Sequence, residues 1–144
     1  MSETGMAPDG AELAWAFPSV DPGAKPLGGR ILVQLRRAKK KATKSGIILV
    51  AETKETEKWQ NMVAKVIEIG PRAFRKRDTM EPWPEGSWCQ AGDYIRVPKW
   101  GGDRWEVNVP GEDALEDPAL FMILNDHEVI AKVTSNPLEM KAFL

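Results

Sequence analysis

Apolar residues along this chain recur at every second position in short runs from Lys25 to about residue 134, the signature of strands with one buried face. "RILVQLRR" (30–37) sets Ile31, Val33 and Leu35 on one face. "NMVAKVIEIG" (61–70) is a longer run rich in Val and Ile, stopped by Gly70 and Pro71, and "GDYIRVP" (92–98) is short and closes on a proline. "DRWEVNVP" (103–110) alternates with Trp105, Val107 and Val109 on one side, while "ALFMILN" (119–125) is apolar on both faces. "HEVIAKV" (127–133) returns to alternation with Val129, Ala131 and Val133 together. Nowhere between 25 and 134 does apolar spacing of three and four persist over ten or more residues. The pattern predicts an all-β domain of about six or seven short strands, built as a barrel or a sandwich.

Two connections are long for such a domain, and long connections in compact β folds are functional or disordered. The first runs from about Ala38 to Gln60 and contains four consecutive apolar residues, Ile47–Val50, in charged and polar surroundings. Those four read equally as a buried strand or as a surface segment that waits for another protein's groove. The second, "PRAFRKRDTMEPWPEGSWCQAG" (71–92), holds three prolines, two tryptophans and a basic run. Residues 1–24 form an N-terminal extension, expected to be a disordered tail apart from a short anchored piece around "ELAWAFPSV". Residues 135–144 form a C-terminal extension.

Composition narrows the function more than it identifies it. The chain has 144 residues, enough for one core, and its 20 basic and 21 acidic residues leave a net charge of −1, so no global field draws it to nucleic acid or to anionic membranes. The charge is unevenly spread: residues 1–24 carry four acids and no base, whereas Arg36 to Lys44 holds six bases and no acid. Cys89 is the only cysteine, which excludes an internal disulfide and a multi-cysteine metal site. A start without a basic-then-apolar leader, and the lack of 18 consecutive apolar residues, set the expectation of a soluble cytoplasmic protein without a membrane partner.

Candidate chemistry is sparse. His127, the only histidine, falls where "NDH" should turn into the last strand, and no motif pairs it with Cys89. The acids of "PGEDALEDPAL" (110–120) lack the alternating oxygen-ligand spacing of a calcium loop. The glycines of "GDYIR" and "WGGDRW" open no helix, so they build no phosphate cradle. The expectation is no enzyme and no cofactor. "RRAKKKATK" beside six tryptophans raises a second class, a single-stranded nucleic-acid-binding β-barrel, but the tryptophans form no spaced series within one strand pair.

Four segments, in order, resemble the GroES family of co-chaperonins, the ring-forming lids of GroEL-type chaperonins. "KPLGGRILVQ" (25–34) is similar to the family's Pro-Leu, Arg and first apolar strand. "KSGIIL" (44–49) resembles its Gly-Ile-Val-Leu loop motif, and "AKVIEIG" (64–70) its Gly-x-Val-x-x-Val-Gly strand. "AGDYIRVPKWGGDRWEV" (91–107) resembles Val-Gly-Asp-x-Val-x-Phe followed by an aromatic and two glycines. The segment from Pro71 to Ala91 departs from the family's roof hairpin, and both ends extend past the family core, a divergence that suits a bacteriophage-type member.

The resemblance implies a GroES-like irregular β-barrel over 25–134, with a mobile loop at about 38–60 and a roof segment at about 71–91. It implies a heptameric ring that caps a GroEL-type chaperonin, with that partner's nucleotide, over an encapsulated client protein. By position, Ile47, Ile48 and Leu49 are the chaperonin-binding tripeptide and Gly46 the bend before it. Trp100 falls where the family has an aromatic before its glycine pair, a position with two readings, lining the chamber and packing in the core. The resemblance also implies that the first core strand (Arg30, Ile31, Leu32, Val33) pairs with the last strand (Val129, Ile130, Ala131, Val133) of a neighbouring subunit. Those enzymes with a related barrel, the medium-chain alcohol dehydrogenases, need zinc ligands and a nucleotide-binding domain that this chain lacks.

Overall fold

The alternation read from the sequence becomes the two faces of one sheet. The computed structural model describes residues 10–37, 62–98, 101–111 and 118–138. Among them six strands form a single antiparallel sheet: β1 (Arg30–Leu35), β2 (Val63–Ile69), β3 (Tyr94–Arg96), β4 (Asp103–Val107), β5 (Ala119–Asn125) and β6 (Ala131–Lys132). Their order is β4-β5-β1-β2-β3-β6. β1 lies at the centre, paired with β5 from Arg30↔Asn125 to Leu35↔Leu120 and with β2 from Ile31↔Ile69 to Leu35↔Ala64.

One face gathers Ile31, Val33 and Leu35 from β1 with Ala64 and Val66 from β2, Ile95 from β3, and Leu120, Met122 and Leu124 from β5. The other face gathers Leu32, Phe121, Ile123, Trp105 and Val107. β5 is apolar on both sides because both sides are buried. A bulge where the register slips between Leu32 and Val33 sets Ile69 on the same side as Val66, three residues back.

The sheet stays open along its edges: β4 pairs only with β5, and β6 only with β3, among the described residues. Its inner face is closed instead by the long connection after β2. Ala73, Phe74 and Cys89 are buried in the inner cluster, and Trp83 and Trp88 pack against it. Phe74 sits 5.5 Å from Trp83 and 6.1 Å from Trp88 between ring centroids, with the two indoles 5.0 Å apart. The segment expected to form a roof therefore has its ends in the core, while residues 75–82 stand exposed.

The N-terminal extension differs from the expected tail. Residues Gly10–Ala16 form a short helix, α1, ended at Pro18, which lacks the N–H to continue it. Ala16 and Phe17 are buried beside Val63, and the Phe17 ring packs tilted against Tyr94 with centroids 5.2 Å apart. From there the chain crosses the outer face of the sheet as a strap, held by its own carbonyls. Arg37 Nε donates to Trp15 O (2.7 Å), Gln34 Nε2 to Pro18 O (2.8 Å) and Trp105 Nε1 to Pro22 O (2.8 Å). The Arg37 side chain is buried, and its guanidinium lies 4.5 Å from the Trp15 ring centroid.

Candidate functional site

Two regions at opposite ends of β1 carry the functional interest, about 17 Å apart at roughly 3.3 Å per residue. At the Leu35 end, β1 runs out beside the start of β2, so the stems at Arg37 and Met62 lie at neighbouring positions of the sheet. The stems are clamped. Arg36 N–H donates to Val63 O (3.0 Å), Arg37 N–H to Ala16 O (3.0 Å) and Val97 N–H to Met62 O (2.8 Å). Arg36 Nη1 also reaches Pro137 O (2.7 Å) near the other end of the chain. Gly46, Ile47, Ile48 and Leu49 lie between these stems and outside the described residues, as does Trp100.

The residues expected to join subunits separate into two groups. Ile31, Leu32 and Val33 are fully buried, and both hydrogen-bonding edges of β1 are taken by β2 and β5 of the same chain. The last strand is different. Val129 is buried in the inner cluster, but Ile130 and Ala131 are exposed, Val133 is half-buried, and β6 is an edge strand. It is shorter than the alternation of "HEVIAKV" suggests, because Asp126–Glu128 form a turn of 3-10 helix. The Asn125 N–H donates to Glu128 Oε1 (2.8 Å), which closes that turn, while the Asp126 N–H to Gly29 O bond (3.0 Å) continues the β1–β5 register by one more residue. Ile130 and Leu27 are among the few large apolar side chains left exposed.

At the Arg30 end, three segments meet around a cavity of about 420 Å³ lined by residues 28–30, Arg72, residues 75–77 and residues 125–127 together with Trp83. A hairpin forms its outer wall: Arg75 and Pro82 pair, the Trp83 N–H donates to Phe74 O (3.1 Å), and the Lys76 N–H to Glu81 O (2.8 Å). The buried Asp126 fastens that wall. Its Oδ2 accepts the Phe74 N–H (2.9 Å) and its Oδ1 the His127 N–H (2.8 Å). Phe74 holds a φ of 62°, a left-handed conformation that disfavours a side chain by about 1–2 kcal/mol, so the carboxylate and the aromatic cluster together keep it there. Gly70 ends β2 beside them, its N–H donating to Arg30 O (2.8 Å). A Cβ at Gly70 would lie 2.6 Å from that same oxygen and closer still to Gly28 O, so the approach of two chains requires glycine there.

His127 belongs to this cavity, whereas Cys89 belongs to the interior cluster. Burial, with a smaller push from Asp93 against a pull from Lys132, raises the Cys89 thiol from 9.0 to about 11. That makes it a poor nucleophile at neutral pH. Among the described residues no group of three or more His, Cys, Asp or Glu is placed to hold a metal ion, and no helix is long and apolar enough to cross a membrane.

The hairpin's anchors are the residues sequence reasoning missed, whereas the strap's anchors Trp15 and Pro18 fall in the piece around "ELAWAFPSV" expected to be held. Phe74 and Cys89 sit inside a basic, proline-rich stretch that reads as surface; the three aromatics at 74, 83 and 88 were the available signal.

Comparison with known proteins places both regions in one context. The family model described as the chaperonin 10 kDa subunit matches residues 23–133. Among curated relatives, the co-chaperonin GroES of Clostridium beijerinckii is 32% identical over 111 residues, covering 76% of this chain and 96% of the relative. That of Methylacidiphilum infernorum is 30% identical over 112 residues, with 78% and 95% covered. That of Syntrophomonas wolfei is 26% identical over 109 residues, with 76% and 96% covered.

Proposed function

Because the chain belongs to the chaperonin 10 kDa subunit family, we propose that it acts as a co-chaperonin, a non-enzymatic partner of a GroEL-type chaperonin. The observation that carries this reading is the clamped pair of stems at Leu35 and Val63. The stems stand side by side at one end of the sheet, and the sequence between them holds the Gly46–Leu49 motif near its middle.

The energetics fit a partner that must bind and later leave. Burying Ile47, Ile48 and Leu49 in an apolar groove yields about 5–9 kcal/mol gross. Ordering the segment offsets about 2–5 kcal/mol of that, so one copy binds with a Kd of about a millimolar. Several copies on one assembly convert later contacts into intramolecular ones and raise avidity by on the order of 10² or more. Lys and Thr ahead of the tripeptide, and Glu, Thr and Lys after it, keep it solvated until it docks. In this reading the copies form a ring, the cap closes a chamber over a client, and nucleotide hydrolysis belongs to the chaperonin, in the cytoplasm.

The contacts between copies fall to the surfaces the fold leaves open: the β6 edge with Ile130, Ala131 and Val133, and the exposed Leu27 ahead of β1. In this reading the buried Ile31, Leu32 and Val33 support that interface from within the subunit, and Arg30 stands exposed at the start of β1. Light scattering on the full chain, alone and with a GroEL-type chaperonin, tests the proposal. The expected result is an assembly of about seven copies that co-migrates with the chaperonin only when nucleotide is present. A monomer that never co-migrates overturns it.

A further inference from the structure

We propose that the cavity at the Arg30 end of the sheet is a binding site for a small polyphosphate anion, one carrying at least two linked phosphate groups. The inference rests on the charge gathered in an open concavity and on its pre-formed walls, and is independent of the co-chaperonin reading.

The charge is concentrated. Arg30, Arg72, Arg75, Lys76 and Arg77 line the cavity, and Asp126 is the one acid that does. With His127 neutral the lining carries five positive charges and one negative, a net of +4, on a chain whose net charge is −1. The Asp126 carboxylate is buried, with an oxygen committed to each of the Phe74 and His127 amides. Asp78, Glu81 and Glu85 lie on the same connection but do not line the cavity. Among the described residues Arg30, Arg72, Lys76 and Arg77 make no ion pair, and Arg75 spends one guanidinium N–H on Met80 O (2.9 Å). Cations gathered in one concavity repel each other and focus their field on whatever enters. An anion relieves that repulsion, and guanidinium forks match the paired oxygens of phosphate.

The walls are fixed before any ligand arrives. Arg72 N–H donates to Gly28 O (2.9 Å), Asp126 N–H to Gly29 O (3.0 Å), and the Phe74 N–H to the Asp126 carboxylate (2.9 Å). Each of the three lining segments is therefore bonded to another, so little ordering opposes binding. The volume of about 420 Å³ is that of a small-molecule site. An extended nucleic-acid strand needs a longer track with successive stacking aromatics, and here Trp83 is the one aromatic in the lining.

The test is calorimetric titration of the full chain with sodium pyrophosphate in about 0.1 M chloride, where diffuse surface attraction is screened beyond about 10 Å. A double variant, Lys76→Gln with Arg77→Gln, removes two charges from the exposed hairpin and leaves its backbone bonds in place. Lys25→Gln, on a lysine outside the cavity lining, is the control. Expected are saturable binding with sub-millimolar Kd, at least about a tenfold loss in the double variant, and no change in the control. The absence of saturation by about 10 mM pyrophosphate, on a scale where about 1 mM is already weak, overturns the proposal. An equal loss in Lys25→Gln overturns it too, because the attraction would then be diffuse. Tighter binding of a thymidine oligonucleotide than of pyrophosphate at the same salt also overturns it, in favour of a strand-binding track.

Discussion

Asp126 is the joint between the sheet and the hairpin, and replacing it with alanine isolates what that joint contributes. The substitution takes the acceptor from the Phe74 N–H, whose residue is only 1% exposed in the parent protein. A hydrogen bond to a charged group contributes about 1.5–3 kcal/mol, and a buried donor left unpaired costs about 1–3 kcal/mol. These describe one loss from two sides and are not summed. Phe74 can recover part of its left-handed strain, about 1–2 kcal/mol, if the hairpin moves. The expected net loss is about 2–3 kcal/mol, seen as a lower midpoint of denaturant unfolding at fixed protomer concentration and a Tm lower by about 6–12 °C. Asp126→Asn keeps one acceptor and turns an amide donor toward the other N–H, so it should fall between the two. Hydrogen exchange at the Phe74 amide localises the effect, because protection there should drop well before protection in β1. An alanine variant within about 0.5 kcal/mol of the parent, with Phe74 still protected, refutes the assignment of Asp126 as the anchor.

Further outcomes follow from other features. Gly70→Ala forces a methyl group onto the Gly28 and Arg30 carbonyls and should destabilise by about 2–4 kcal/mol in the same unfolding assay. With a thiol raised to about 11, Cys89 at pH 8 is thiolate in about one molecule in a thousand, so a disulfide reagent should label it only after unfolding. Because the folded state holds that proton more tightly, its contribution to stability is complete below about pH 9 and declines as the pH rises toward about 11. Ile48→Asp should leave the assembly state unchanged by light scattering while abolishing nucleotide-dependent co-migration with the chaperonin. A variant that still co-migrates removes Ile48 from the anchor.

The strand faces were legible because period two maps directly onto burial. Ile31, Val33 and Leu35 landed together, as did Trp105, Val107 and Val109, and the doubly apolar "ALFMILN" became the doubly buried β5. What escaped the reading was non-local. Trp15, Pro18 and Pro22 are held through backbone carbonyls, which carry no sequence signal, by Arg37, Gln34 and Trp105, the last 83 residues away. "HEVIAKV" promised a full strand because its alternation is real, but its first residues are taken by the turn that the Asn125 bond to Glu128 closes, and Asp126 is bonded to Gly29 far upstream. The basic cavity was hidden for a related reason: Arg30 and Arg72 to Arg77 belong to different elements, and only the Gly70 crossing brings them together.

The strap has a practical corollary about where this subunit begins. The family match starts at residue 23, one position after the Pro22 carbonyl that receives Trp105. A chain trimmed to the conserved borders would therefore discard all three acceptors and uncover greasy surface around Leu32 and Phe121. The unit recognised by likeness to relatives and the unit that folds are thus not the same length here, and the extra N-terminal turns are structural masonry rather than ornament.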